Sequence, residues 1–190
     1  MKVALPLAAI LLAASSANSF AEEETKGWEL FPGTHDGFIF DPTFSVMAGM
    51  ANIEDVQGDT AFSWGLEASF NCPLIQPPTN KVRQQLSYFN YSDGDAEMHT
   101  VEINPHYVVD VKKDLWIGAG PGLGYVRAES ANKSSNMFAA QLGASFHYNM
   151  DKIFIGGEAR YQLTQDEDVG NGKGNGADNW RAILKVGFNI

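Results

Sequence analysis

Apolar and polar residues alternate at every second position along most of the chain. In residues 61–71, "AFSWGLEASFN", Phe62 and Trp64 fall on one side of the alternation, and Ser63 and Glu67 fall on the other. A period of two separates residues by face only in a β-strand, because successive side chains of a strand point to opposite sides. The segment is therefore predicted to be a strand with one apolar face and one polar face.

The same alternation recurs often enough to predict eight strands. Besides 61–71, the predicted strands are residues 136–149, 153–164 and 179–190, and more weakly about 40–52, 82–91, 98–109 and 115–127. Strands of roughly ten residues have the length that crosses a bilayer at a tilt. Four polar, acidic or Gly-rich linkers alternate with tight turns, and these linkers are residues 52–60, 92–97, 128–136 and 165–179. This order predicts an up-and-down meander with long loops at one end, the loop end, and short turns at the other, the turn end. The Pro-rich connection Cys72–Asn80 lies at the turn end and does not fit this pattern.

The positions of the aromatic residues indicate which face meets lipid. A soluble barrel turns its apolar face inward, whereas a membrane barrel turns it outward and carries an aromatic girdle at each interface. Here the apolar face places Phe62, Tyr88, Tyr125, Phe138, Tyr161 and Trp180 near the loop end, and Phe44, Phe70, Tyr107, Tyr148 and Phe188 near the turn end. We therefore predict an all-β fold, an eight-stranded antiparallel up-and-down transmembrane β-barrel over residues 38–190. A soluble periplasmic barrel that binds a small apolar ligand stays open as an alternative.

The opposite face predicts a polar, ion-paired lumen. Its residues are Glu67, Arg83, Gln85, Glu102, Asn104, His106, Gln141, Ser145, Glu158, Arg160, Arg181 and Lys185. Opposite charges that pair offset part of the penalty of their burial. Counting residues around the turns predicts that Glu67 lies near Arg83 and that Ser145 lies near Glu158. Eight strands enclose room for side chains and little else, so we expect a filled interior.

Four glycines, Gly118, Gly120, Gly122 and Gly124, alternate within "WIGAGPGLGYV". A dinucleotide-binding fingerprint requires Gly-x-Gly-x-x-Gly at the start of a helix, and this spacing of two, interrupted by Pro121, does not match it. We interpret the row as lumen positions that make room for larger side chains on the preceding strand. Counting from the centre of the "DVKKD" turn predicts the pairs Gly118 with His106, Gly120 with Asn104 and Gly122 with Glu102.

The N-terminus has the pattern of a secretory signal peptide over residues 1–21. Lys2 precedes an apolar stretch, and Ser19 and Ala21 precede the predicted cleavage site. Removal of these residues leaves 12 basic and 23 acidic residues, a net charge of −11, which disfavours nucleic acid as a partner. Residues 22–37 are predicted to be a periplasmic segment, with the alternative that Trp28, Leu30 and Phe31 cap the lower mouth of the barrel. The only cysteine, Cys72, excludes an intramolecular disulfide and a cysteine metal cluster.

Together these features resemble the small OmpA/OmpX-type outer-membrane barrels. The resemblance rests on the signal peptide, the eight alternating strands, the "GAGPGLGY" stretch and an apolar last strand, and it covers about residues 38–190. It implies a monomer in the outer membrane of a Gram-negative-type envelope, in contact with lipid and lipopolysaccharide and inserted by the barrel-assembly machinery. Members of the family usually end in Phe as part of the assembly signal, whereas this chain ends in Ile190 with Phe188 two residues earlier.

Within that family we expect a structural or surface-interaction role, with no catalytic residue, metal or cofactor. One alternative is a lipid A deacylase of the PagL type, which carries His-x-Ser-Asn on strand seven, where this chain reads "GGEARYQLTQ". Ser145 and His147 share one strand face at a spacing of roughly 7 Å, too far for a serine and its base, and His99 lies near a loop. A narrow pore for small solutes is a further alternative. Four alternating residues that could hold calcium are interpreted as a solvated loop: Asp93, Asp95, Glu97 and His99.

Overall fold

The computed structural model describes residues 27–54, 60–94, 96–130, 133–168 and 176–190, so the predicted signal peptide lies outside the described residues. Two short strands accompany eight long ones, and a 3-10 turn spans Pro32–Thr34. The short strands are β1 (Glu29–Leu30) and β4 (Ile75–Gln76), which pair with each other. The long strands are β2 (Thr43–Ile53), β3 (Ala61–Asn71), β5 (Lys81–Asp93), β6 (Ala96–Lys112), β7 (Leu115–Ser130), β8 (Lys133–Met150), β9 (Ile153–Thr164) and β10 (Asn179–Asn189).

The eight long strands form one closed antiparallel barrel in the order β10-β2-β3-β5-β6-β7-β8-β9. Each strand pairs with its neighbours in the chain, and β10 closes the barrel by pairing with β2 from Asn179↔Ile53 to Asn189↔Thr43. The predicted fold class and the eight predicted strands are therefore confirmed. Among the described residues, no helix is long and apolar enough to span a membrane.

Two of the four segments predicted to be loops at the loop end, 92–97 and 128–136, are mostly strand in the structure. Strands β5 and β6 stay paired up to Asp93↔Ala96, and β7 and β8 stay paired up to Ser130↔Lys133. Most of 92–97 and 128–136 is therefore strand. Loop-like composition misled the prediction, because polar side chains are compatible with a ladder wherever the strand faces water on that side. The result is a four-stranded extension of the barrel wall at the loop end.

The pairing predicted between Glu67 and Arg83 is also wrong. Glu67 lies opposite Ser87, and Arg83 lies opposite Asn71. The reversal between β3 and β5 is centred later than the simple count assumed, because the connection contains β4 and extends the chain before it turns back. By contrast, Ser145 does lie opposite Glu158.

The glycine row is displaced by two residues from its predicted register. The structure pairs Gly118 with Val108 and Gly124 with Glu102, because the chain reverses between Lys112 and Leu115 rather than at the centre of "DVKKD". The ladder is interrupted between the Ile103↔Leu123 and Tyr107↔Ala119 pairs. Pro105 and Pro121 lie in this gap, and neither can donate a backbone hydrogen bond, which explains the interruption.

Candidate functional site: the barrel wall and its charged interior

The outer wall of the barrel is apolar around its whole circumference. Exposed large residues include Val46 on β2, Leu86 on β5, Leu123 on β7 and Leu184 on β10, the last with 68% of its surface exposed. Polar groups on the same strands point inward, for example Ser45 and Lys185. This arrangement is the reverse of a soluble barrel, and it matches a wall that faces hydrocarbon.

Both predicted aromatic belts lie on this outer wall. Nine of the predicted aromatic residues are among the exposed large apolar residues, and these are Phe62, Tyr125, Phe138, Tyr161, Trp180, Phe44, Tyr107, Tyr148 and Phe188. Tyr88 and Phe70 are half-buried, because Trp64 packs edge-on against Tyr88 and Phe40 stacks on Phe70. On β8 the two belts are ten residues apart, from Phe138 to Tyr148, a height of about 26 Å at about 3.4 Å per residue and a tilt of about 40°. The predicted belt residues did not include Trp64 and Phe146, which are also exposed on the outer wall. Both hold outward positions in the alternation of their strands, which would have identified them as outer-wall residues.

The polarity of the two faces is exchanged where β5–β8 extend above the loop-end belt. Below this level the outward side chains are apolar with the exception of Gln84, whereas above it they are polar, as at His99 and Arg127. The inward side chains change in the opposite sense, from Glu102 to the fully buried Met98 and Tyr91. The extension therefore has an apolar core and a polar surface, as a water-exposed sheet does. The inward residues of the extension belong to one buried apolar cluster, which reaches down into the barrel to β2, β10 and the residue Ala177. Its members are Met47, Ala51, Ile53, Phe89, Tyr91, Ala96, Met98, Val126, Ala128, Met137, Ala139, Ala177 and Ile183. The lumen predicted from sequence is polar throughout, so this apolar cluster was not predicted.

Three acids and three bases fill the middle of the lumen. They form two linked groups. In the first, Lys185 Nζ lies 2.5 Å from Glu67 Oε2 and 2.6 Å from Glu158 Oε2. In the second, Glu102 pairs with Arg181 and lies 3.4 Å from Arg160 Nη1. Arg160 also pairs with Glu158 through Nε at 2.6 Å, which joins the two groups.

These contacts cross the barrel. Arg181 lies on β10 and Glu102 on β6, four strands apart around the ring of eight in either direction. Arg160 on β9 donates from Nη2 to Gln85 Oε1 on β5 at 3.1 Å, again between strands on opposite sides. The side chains of these residues are all nearly fully buried. Charged and amide groups thus bridge the lumen instead of lining an open passage.

Amide side chains surround the ion pairs on the loop-end side. Gln141 Nε2 donates to Asn104 Oδ1 at 2.8 Å, and Gln162 Nε2 donates to Gln141 Oε1 at 3.3 Å. Asn179 Nδ2 donates to Gln162 Oε1 at 2.8 Å. Gln162 and Asn179 were absent from the predicted lumen set, although each holds an inward position in its strand.

The turn-end mouth contains a separate ion pair and an aromatic stack. Arg83 Nη1 lies 2.7 Å from Asp41 Oδ2, just before β2, so Arg83 does not join the central group. His147 lies between Trp116 and Phe154, with ring centroids 4.4 Å and 3.9 Å away. The inward positions of Trp116 and Phe154 show that aromatic residues also close this end of the lumen.

In the lumen Ser145 meets His106, and not His147, the histidine that was considered with it from sequence. His106 Nδ1 lies 3.0 Å from Ser145 Oγ, across the glycine row, while His147 contacts Asn149 instead. His106 is fully buried, so this pair is enclosed by the barrel.

On the outer face of the extension, His99 is held by other groups. Its Nδ1 lies 2.8 Å from Tyr88 Oη and 3.1 Å from Asn90 Nδ2, and its Nε2 lies 3.8 Å from Glu97. Within the described residues, these contacts of His99 are with a tyrosine, an asparagine and a glutamate and not with a serine. Asp95, one of the four residues considered for calcium, lies outside the described residues. Within the described parts of the chain, no three His, Cys, Asp or Glu residues converge as a metal site would require.

The glycines lie where neighbouring groups occupy the space of a side chain. A Cβ on Gly122 would overlap Asn104 Oδ1, and one on Gly124 would lie 2.9 Å from Gln162 Nε2. A Cβ on Gly120 would overlap the backbone carbonyl of Pro105. The row therefore accommodates amide side chains of the lumen and one close backbone approach.

Comparison with known proteins identifies this architecture. No family model matches the chain, and no curated protein matches it by sequence. Among solved structures, Neisserial surface protein A superposes with a TM-score of 0.59 at 14% identity, covering 87% of this chain and all of that one. Ail, the attachment invasion locus protein of Yersinia pestis, superposes with a TM-score of 0.51 at 11% identity, covering 80% of this chain and all of Ail. The chain therefore has the fold of these small eight-stranded outer-membrane barrels.

Proposed function

We propose that the protein is an outer-membrane β-barrel of a Gram-negative-type envelope, with a closed lumen and a structural or interaction role at the cell surface. The observation that carries this proposal is an apolar wall around the full circumference combined with a buried charged interior. In water such a wall would expose far more contiguous apolar surface than soluble monomers tolerate. In a bilayer the same surface is solvated by acyl chains, and closure of the barrel pairs the backbone of each strand with both neighbours, apart from the interruption between β6 and β7.

The loop-end extension supports a role at the surface rather than in transport. Beyond Phe138, strand β8 continues for five residues to Lys133, which corresponds to a height of about 13 Å above the belt. Its inward face is apolar and buried, and its outward face carries polar groups such as Arg127 and Glu129, which pair at 2.6 Å. A polar surface above the membrane is suited to contacting lipopolysaccharide or other surface molecules. We propose that the barrel is a monomer surrounded by lipid and lipopolysaccharide and inserted by the barrel-assembly machinery.

The first test concerns the membrane assignment. We expect the protein in the outer-membrane fraction, and we expect unboiled and boiled detergent samples to migrate differently on electrophoresis, because a hydrogen-bonded barrel resists detergent until heated. A protein recovered in the soluble fraction without a heat-dependent shift would overturn the proposal and favour the soluble ligand-binding barrel.

The second test concerns the closed lumen. Purified protein reconstituted in a planar bilayer is expected to give no stable single-channel steps in 1 M KCl, because Arg181–Glu102 and Arg160–Gln85 bridge opposite sides of the barrel. Steady single-channel conductance from a preparation that also shows the heat-dependent shift would support the narrow-pore alternative instead. The heat shift serves as the control that folded protein was inserted.

A further inference from the structure

Residues 29–33, which precede the barrel, are hydrogen-bonded to the Pro-rich connection between β3 and β5. β1 pairs with β4 in the Pro-rich connection, with Leu30 opposite Ile75. The backbone N–H of Phe31 donates to Leu74 O at 2.8 Å and that of Gly33 donates to Pro73 O at 3.1 Å. Residues 28–40 and 72–76 therefore form one small unit, which we call the N-terminal flap. Trp28, Leu30 and Phe31, which were considered as a cap of the lower mouth, are each more than half exposed in this unit.

The flap is attached to the barrel at the outer wall. The Gln76 side chain accepts from the backbone N–H of Val82 at 2.9 Å and donates to its carbonyl at 2.9 Å. Val82 and Gln84 hold outward positions on β5, yet each is only 7% exposed, whereas Leu86, the next outward residue, is 43% exposed. The outer wall is therefore covered at this point. This cover also removes the amide of Gln84 from a position where it would otherwise face lipid, which is unfavourable for a polar group.

The flap continues the apolar surface of the barrel. Phe40 stacks on Phe70 of the turn-end belt, with ring centroids 4.5 Å apart. Across the β1–β4 pair, Glu29 and Gln76 share one face, and Gln76 is directed to the barrel. The flap exposes large apolar side chains to the surroundings: Trp28 56%, Leu30 62%, Phe31 59%, Ile39 73% and Leu74 58%.

We propose that the N-terminal flap is a membrane anchor whose apolar side chains insert into the bilayer interface at the turn end, beside the barrel. This inference rests on the proposed function, because it requires the barrel wall to lie in a membrane. The continuity from Phe70 through Phe40 to the flap identifies lipid as the occupant, since the surface that the flap extends is the lipid-facing one. Trp28 is also the residue type most typical of that interface, because its indole is apolar with one polar N–H.

The experiment places an environment-sensitive nitrobenzoxadiazole label on four single-cysteine substitutions, one at a time, in protein reconstituted in phosphatidylcholine and phosphatidylethanolamine vesicles. Leu30→Cys reports the flap, Leu184→Cys reports the barrel wall, and Asp114→Cys reports the exposed turn at the same end. The native Cys72 is 2% exposed, and the unsubstituted protein is labelled in parallel to show that it takes up no dye. Leu74→Cys probes the flap from the residue just before β4, in case Leu30→Cys loosens β1.

We expect iodide in the buffer to quench the Leu30 label at least fivefold less than the Asp114 label. Lipids spin-labelled near the headgroup are expected to quench the Leu30 label more than lipids labelled at mid-chain. Equal iodide access at Leu30, Leu74 and Asp114 would show that the flap faces water and would overturn the proposal. Protection from iodide without quenching by lipid would show that protein covers the flap, and it would also overturn the proposal. Failure of the wall label at Leu184 to be quenched by mid-chain lipid would instead refute the proposed function itself.

Discussion

Replacement of Lys185 by methionine is expected to lower the free energy of unfolding by about 3–5 kcal/mol, the usual consequence of removing one partner of a buried ion pair. Lys185 is the only group within ion-pair distance of Glu67 in the described parts of the chain, and it also contacts Glu158. Methionine preserves the length of the side chain and removes the charge. In this variant Glu67 is a buried carboxylate without a counter-charge. If the loss of stability reaches about 5 kcal/mol, we expect the band of the folded protein to disappear on electrophoresis of unboiled samples.

The measurement is urea unfolding in lipid vesicles, followed by the heat-dependent shift on electrophoresis. Lys152→Met is the matched control, because Lys152 lies exposed in the turn between β8 and β9. Adding Glu67→Gln to Lys185→Met removes the uncompensated charge, while Glu158 keeps its pair with Arg160. We expect this double variant to recover part of the lost stability, which a purely steric effect of Lys185→Met would not allow. A single variant as stable as the control would contradict the ion-pair account of the lumen.

Substitution of Gly120 by alanine is expected to destabilise the barrel by about 1–3 kcal/mol or more, because overpacking forces the surrounding backbone to move. The obstacle is the backbone carbonyl of Pro105, which cannot rotate away as a side chain could. Gly118→Ala is the matched control on the same strand face, since its Cβ would lie 3.1 Å from a Val108 methyl group and needs only a small adjustment. Unfolding in urea measures both variants, and equal stability of the two would show that the β6–β7 approach at Pro105 is looser than described.

For the charged residues, the sequence pattern predicted the face of the strand but not the partner. The alternation along each strand placed six charged residues on one face, and all six are buried in the lumen: Glu67, Glu102, Glu158, Arg160, Arg181 and Lys185. Their partners were not predictable in the same way. Glu67 was assigned to Arg83 by counting around a turn, but it contacts Lys185, which is 118 residues away in the chain. Such a contact depends on closure of the barrel between β10 and β2, and no local count contains it.

The N-terminal flap and the loop-end extension illustrate two further limits. Residues 72–80 had no assignment from sequence. Within them only Ile75 and Gln76 form a strand, which pairs with residues 29–30, and a two-residue strand has too few positions to show a period. The extension was interpreted as loops because its outward residues are polar. In fact the same strands continue into water, where the outward face must be polar and the inward face can be apolar.

The eight strands of the barrel, their order and the side chains that point outward follow from the alternation alone, because successive side chains of a strand point to opposite faces. The register of each pair, and hence which charges meet, is set only in the folded barrel. Register depends on where each reversal is centred, and the displacements at β3–β5 and β6–β7 each moved the expected partners. The tertiary structure also decides that Arg181 reaches Glu102 across the lumen, since only the closed ring brings opposite strands within the length of two side chains.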